Sequence, residues 1–418
     1  MHNNYLTNDT KVIIMLCGVF GKDRSVSPLT QTEYNKLVGW LVQAGLRPED
    51  MLKHDVLSDA SKGSGIEQSR LDSLMSRGVQ LGFALEDWQN NGVWVISRSD
   101  PDYPQRYKKH LKDKAPPLLF GIGEKHLLQG GGLAIVGSRN VDEEGKIFAQ
   151  TAAELCALNN MPVISGGARG VDINAMSTVL QANGVCIGVL ADSLLKKSLE
   201  PAARIAITDG RLLLISPYHP KAGFSVGTAM ARNKLIYAMA DYALIVSSEY
   251  KTGGTWAGAK EELRREQHRP VFVRNGENVP KGNLMLLESG AVEFPNDIDQ
   301  RNFTEKLDSL SNTTKLGSKT LFDYKQEPSA IDKGKIDKIE KKNEKKPKKN
   351  SRSAYDVVLP LILEMTETRV KPGELAKQLD VSKNQIKNWL TRAENEHKIE
   401  KVSKKPIEYI RNYNVNSL

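Results

Sequence analysis

Three short glycine-bearing motifs offer the chain's clearest chemistry. Gly137-Ser138-Arg139 follows the apolar run Leu133–Val136 directly. Ser165-Gly166-Gly167-Ala168-Arg169-Gly170-Val171-Asp172 follows Val163. Thr252-Gly253-Gly254-Thr255 comes a few residues after Tyr242–Val246. Glycine lets backbone N–H groups come close to an anion, and a helix N-terminus adds partial positive charge. Arg139, Arg169 and the later Arg232, with Asn233 and Lys234 beside it, supply charge-assisted bonds that match a phosphate. One glycine turn alone would be a tight strand-to-helix connection. Three such junctions, two with arginine, point to phosphate binding.

Other chemistries lack their residues. No Gly-Lys-Ser/Thr follows a glycine run, so this is not a Walker-type nucleotide site. No GxGxxG opens the first helix after a strand, and no HExxH or GxSxG motif occurs. Cys17, Cys156 and Cys186 are far apart and odd in number, against a disulfide framework or a zinc site. No metal and no cofactor is expected. Asp172, in the first turn after the glycine run, reads as a carboxylate favoured by a helix N-terminus. Tyr218, Phe224, Tyr250 and Trp256 flank the motifs. Bases stacked on such rings contribute about 1–3 kcal/mol each.

The elements that position these motifs are legible. From Leu133 to about Pro295, short apolar runs alternate with helical patterns. Runs that are continuous rather than alternating imply strands buried on both faces. Strand–helix alternation implies a parallel α/β sheet covered by helices on both sides. The three motifs then lie at carboxyl ends of strands, where ligands bind at the reversal of strand order. Residues 1–92 read as a helical N-terminal domain, with a capping box at Thr30-Gln31-Thr32-Glu33. Residues 93–295 form the core. Residues 296–352 are polar, with nine lysines and four acids in Ile331–Asn350, and read as a flexible linker. Residues 353–418 show three helical patterns and a basic hairpin, the order of a winged helix-turn-helix. There Lys383, Lys387 and Arg392 lie on the exposed side of the third helix, and Lys404 and Lys405 at the wing tip. That suits DNA backbone contact, while protein docking is the other use of such domains.

Charge agrees with an anionic partner. The 418 residues carry net charge +9. Twenty-one basic and thirteen acidic residues fall in 331–418, leaving 38 and 37 elsewhere. A basic appendage on a nearly neutral body points to nucleic acid, or else to a solvated linker. Val12–Phe20 is too short to span a bilayer and lacks a signal peptide's flanks. A cytoplasmic protein with no membrane partner is expected.

These motifs resemble the DNA-processing protein A family (DprA/Smf). The resemblance rests on Gly137-Ser138-Arg139, the Ser165–Asp172 run, Ala231-Arg232-Asn233, and Tyr103-Pro104 with Pro116-Pro117-Leu118-Leu119-Phe120-Gly121-Ile122-Gly123. It implies a Rossmann-like core that binds single-stranded DNA without sequence preference. It also implies strand protection, handover to a RecA-type recombinase, and dimers in several members. By position, Arg139 becomes the basic pocket residue and Arg232 a second strand contact. The chain departs from the family's Asn-Phe-Pro-x-Arg-Asn-Arg segment, reading Thr228-Ala229-Met230-Ala231-Arg232-Asn233-Lys234, so it looks like a divergent member. Met230–Lys234 with Gly253-Gly254-Thr255 also resembles the related LOG family of nucleotide phosphoribohydrolases, which implies nucleotide hydrolysis, or nucleotide sensing in the same pocket, as the alternative. That alternative needs a carboxylate near the pocket, and Glu249, Glu261 and Glu262 do not keep the LOG spacing.

Overall fold

Alternating residues of the apolar runs separate onto the two faces of one sheet. Leu133 and Ile135 enter one apolar cluster, and Ala134 and Val136 the other. The same split holds for Leu244 against Ala243 and Ile245, and for Phe272 against Val271 and Val273. Each fully buried Leu, Ile, Val or Phe contributes about 1.5–3 kcal/mol. Burial on both faces explains why these strands read as unbroken apolar runs.

The computed structural model describes residues 6–20, 26–317, 354–379, 381, 383–404 and 407–412. The chain divides into two units, Met1–Glu327 and Pro328–Leu418. The first begins with α1 (Asn8–Cys17), α2 (Gln31–Gln43), α3 (His54–Ser64), α4 (Gln68–Met75) and α5 (Gly78–Asn90). Then come β1 (Trp94–Ser97), α6 (Gln105–Leu111), β2 (Leu118–Ile122), β3 (Leu133–Gly137) and α7 (Glu143–Leu158). They are followed by β4 (Val163–Ser165), α8 (Val171–Gln181), β5 (Cys186–Val189), α9 (Leu194–Ser198), α10 (Pro201–Thr208) and β6 (Leu212–Ser216). The unit continues with α11 (Val226–Met239), β7 (Tyr242–Ser247), α12 (Gly253–Leu263), β8 (Val271–Val273), α13 (Lys281–Leu287), β9 (Val292–Glu293) and α14 (Phe303–Gly317).

The sheet runs β1-β2-β6-β5-β4-β3-β7-β8-β9. From β6 to β9 all pairs are parallel. β2 joins β6 antiparallel and β1 pairs with β2 antiparallel, forming the edge. The fold is the expected α/β, Rossmann-like arrangement with a helical N-terminal region.

That helical region shares an apolar cluster with the sheet: Ile13, Leu37, Leu71 and Leu81 lie in one cluster with Leu118, Phe120 and Leu214. α2 starts at the expected capping box: Thr30 Oγ1 accepts from Glu33 N, and Glu33 Oε2 accepts from Thr30 N at 2.8 Å. Tyr34, Leu37 and Leu41 then form its buried stripe.

The stretch from 296, expected to be linker, differs from that reading as far as residue 317. It holds α14, which buries Phe303 and Leu307 in the same cluster as Phe294. Two apolar anchors four residues apart suffice to dock a mostly polar helix. Residues 318–353, the remainder of the expected linker, lie outside the described residues.

The second unit holds α15 (Ala354–Met365), α16 (Pro372–Gln378), α17 (Lys383–Asn395), β10 (Ile399–Lys404) and β11 (Ile407–Arg411). The two strands pair antiparallel. Tyr355, Ile362, Leu375, Ile386, Leu390 and Ile399 form its core. Pro360 lies inside α15. Lys387 and Arg392 are exposed on α17. Arg392 sits over the Tyr355 ring at 4.0 Å and bonds Glu396 at 2.9 Å. Lys405 and the side chains of Lys383 and Lys404 lie outside the described residues.

Candidate nucleic-acid-binding crevice

The sheet grows in opposite directions from β3: β4, β5 and β6 lie on one side, β7, β8 and β9 on the other. A crevice of about 480 Å³ opens at the carboxyl end of this switch point. All three motifs reach it in part. Gly137, Ser138 and Arg139 line it after β3, Ala168 and Asp172 before and within α8, and Thr252 to Thr255 at the start of α12. Arg232 and Asn233 of α11 also line it.

The first junction is held tightly. Ser138 N donates to Ser247 O at 2.8 Å, and Ser138 O accepts from Val171 N at 3.3 Å. Gly170, at φ +90°, lies where any Cβ would stand 2.4 Å from Ser138 O. Glycine is therefore required there for two loops to meet. Arg139 projects beyond this contact and is exposed, its guanidinium 5.0 Å from the Phe224 ring centre. Phe224, Val226 and Met230 are all exposed along the same rim.

The second junction differs from its expected role as a phosphate cradle. Asp172 is buried and accepts from Gly166 N at 3.1 Å and Ala168 N at 3.4 Å. The protein's own carboxylate thus occupies these donors of the glycine run. Burial raises the Asp172 pKa, and the Arg232 charge opposes that shift. Ser165 is buried and donates to Ile135 O at 2.7 Å, tying β4 to β3. Gly167 accepts from Lys197 Nζ at 2.9 Å. Arg169 is exposed and bonds Asn140 Oδ1 at 3.2 Å, outside the crevice lining. Ser165, Gly166, Gly167 and Gly170 are likewise absent from that lining.

Arg232 also departs from expectation. It is 5% exposed, set in the crevice floor rather than on the rim that a strand contact needs. Its Nη1 donates to Val189 O, and among the described residues its Nε has no partner. Burial lowers its pKa while Asp172 and Asp192 favour its charge. The physical cause lies in α11, where residues 232, 235, 236 and 239 form one buried stripe. Lys234 falls off that stripe and does not line the crevice; burial lowers its pKa, and the charge of Glu261 opposes the shift.

The third junction keeps its donors open. Thr252 is the N-cap of α12 but makes no side-chain cap bond. The first-turn N–H groups of Gly253, Gly254 and Thr255 are therefore available at the lining. Asn233 donates to Gly254 O at 3.0 Å and fixes the turn against α11.

Among the carboxylates, Glu249 is exposed at the crevice mouth. Glu261 is exposed and pairs with Arg265 at 3.1 Å. Glu262 is buried against His110 at 2.9 Å and accepts from Arg269 N at 2.7 Å, which anchors α6 to α12. Neither lines the crevice. Sequence reasoning missed Val226 and Met230 as apolar rim residues. Their signal is weak, because two apolar residues in the first turns of a helix look ordinary.

Among the described residues no helix is long and apolar enough to cross a membrane. The family model of DNA recombination-mediator protein A matches residues 94–304. Protein Smf of Synechocystis is 28% identical over 217 residues, covering 50% of this chain and 53% of that protein. Protein Smf of Escherichia coli is 31% identical over 185 residues, covering 42% and 48%. The chain thus spans about half the length of these curated relatives. The X-ray structure of DNA processing protein A from Streptococcus pneumoniae matches with a TM-score of 0.55 and 21% identity, over 75% of this chain and 98% of that one.

Proposed function

This chain belongs to the DNA recombination-mediator protein A family, and we propose that its crevice binds single-stranded DNA through phosphates, with little sequence preference. One observation carries the reading. An exposed arginine, Arg139, stands over an exposed ring, Phe224, in a crevice that is also lined by a helix start without a side-chain cap. A phosphate fits between arginine and helix N–H groups, and the neighbouring base has a ring and an apolar rim to stack on. A duplex keeps its bases stacked inside and cannot use that rim. Handover of the bound strand to a recombinase accords with the family's description as a recombination mediator.

Binding rather than glycosidic hydrolysis is favoured by the carboxylates. Glu262 is locked between helices and Glu261 pairs outward, so neither is within reach of a bound ribose. The crevice-lining acids are Asp172, held by backbone donors, and Glu249. Incubation with nucleoside monophosphates followed by chromatography tests this. No free base is expected, and base release abolished by Glu249→Gln or Asp172→Asn would establish the hydrolase reading instead.

A further inference from the structure

We infer that the bound strand continues out of the crevice across the β7–α12 loop onto a second site, built of cations and aromatic rings; this rests on the single-strand reading above. One loop serves both places. Glu249 and Thr252 to Thr255 line the crevice, while Tyr250, Lys251 and Trp256 line a separate cleft of about 610 Å³. Neighbouring residues of one segment thus line both the crevice and the cleft.

The cleft has the composition a single strand needs. Tyr250 and Trp256 meet edge to face at 5.1 Å. Lys251 and Lys281 lie over the Tyr250 ring at 4.9 and 5.3 Å, and Lys260 lies over Trp256 at 5.9 Å. Arg264 opens onto the same cleft, whose lining contains one carboxylate, Glu288. Among the described residues none of these four cations forms an ion pair, whereas Lys146, Lys221 and Arg265 all do. Like charges gathered around two rings, three of them in cation–π contact, make a site for a polyanion that also has planar groups. Lys251 adds a backbone observation: its φ is +57°, a left-handed conformation uncommon for a residue with a side chain. When a strand binds, phosphates draw the lysines off the rings and bases take their place.

The test uses the full chain and oligothymidylates of about 6 and about 20 nucleotides, lengths that span one small binding site and more than one. The variants are Lys251→Gln/Lys260→Gln/Lys281→Gln, and Trp256→Leu. Should the triple variant melt early, Lys251→Gln/Lys281→Gln, at two exposed positions, replaces it. Expected is an affinity loss of about tenfold or more on the long strand, with little change on the short one. The log–log salt slope on the long strand should shrink by about 2 for three lysines. Unchanged long-strand binding, or an equal loss at both lengths, overturns the second site. If the unaltered protein fails to bind the short strand, the crevice reading itself falls, and the second site with it.

Discussion

Arg139 and Arg232 carry the same guanidinium and stand in opposite environments. Arg139 is exposed and its strongest described contact is a ring, so it has charge to spare for a phosphate. Arg139→Ala is expected to weaken single-strand binding by about ten- to a hundredfold while the melting temperature stays put. Normal binding by that variant would place the site elsewhere. Arg232 is part of the fold, because its charge offsets that of buried Asp172. Arg232→Met should destabilise by about 3–5 kcal/mol, the cost of leaving a buried charge uncompensated. The pH dependence follows from the raised Asp172 pKa. A raised carboxyl pKa favours the fold at low pH and costs stability as pH rises through it. The melting deficit of Arg232→Met should therefore be largest at neutral pH and shrink toward the ordinary aspartate range. A deficit independent of pH would separate Arg232 from Asp172. The sequence displayed both arginines but not this difference. Only the stripe shared with Leu235, Ile236 and Met239 hinted that Arg232 points inward. Likewise the Ser165–Gly170 run reads as an anion cradle, and it is one, but the anion is Asp172.

At the scale of elements, local patterns that agree with tertiary burial were readable. The Thr30–Glu33 box and the Tyr34, Leu37, Leu41 stripe predict α2, and α2 forms there. Glu33 also binds Arg70 of α4 at 2.6 Å, and that bond, with the Thr30 backbone, lowers its pKa to about 2. A lowered carboxyl pKa gives stability that is present above the ordinary value and lost as pH falls toward the folded one. The advantage of the natural chain over Glu33→Gln should thus be full above about 4.5 and disappear by about 2, read as a difference in melting temperature. A constant difference across that window would remove the ion pair from the account. α14 was not readable, because its buried side chains are few among many polar ones. Phe303→Ala should cost about 3–5 kcal/mol, measured by denaturant melting, since the ring is wholly buried. A shift within experimental error would mean that α14 does not hold the sheet edge.

The whole molecule joins a nearly neutral core unit to a basic second unit. Three helices followed by an antiparallel hairpin, with Lys387 and Arg392 exposed, support a winged-helix reading of that unit and a second DNA contact. Ending the chain after Glu327 should leave the core's melting unchanged and weaken binding to long single strands, because a tethered contact acts through effective concentration. Complete loss of binding would move the main site into the second unit. One titration decides whether the crevice reads the phosphates of single strands. The full chain and Arg139→Ala are titrated with a single strand, its duplex and a mononucleotide over a range of salt. Tightest binding is expected to the single strand, with an affinity that falls as salt rises and a loss confined to the Arg139→Ala protein. Preference for the duplex, or single-strand binding indifferent to both salt and Arg139, would contradict it.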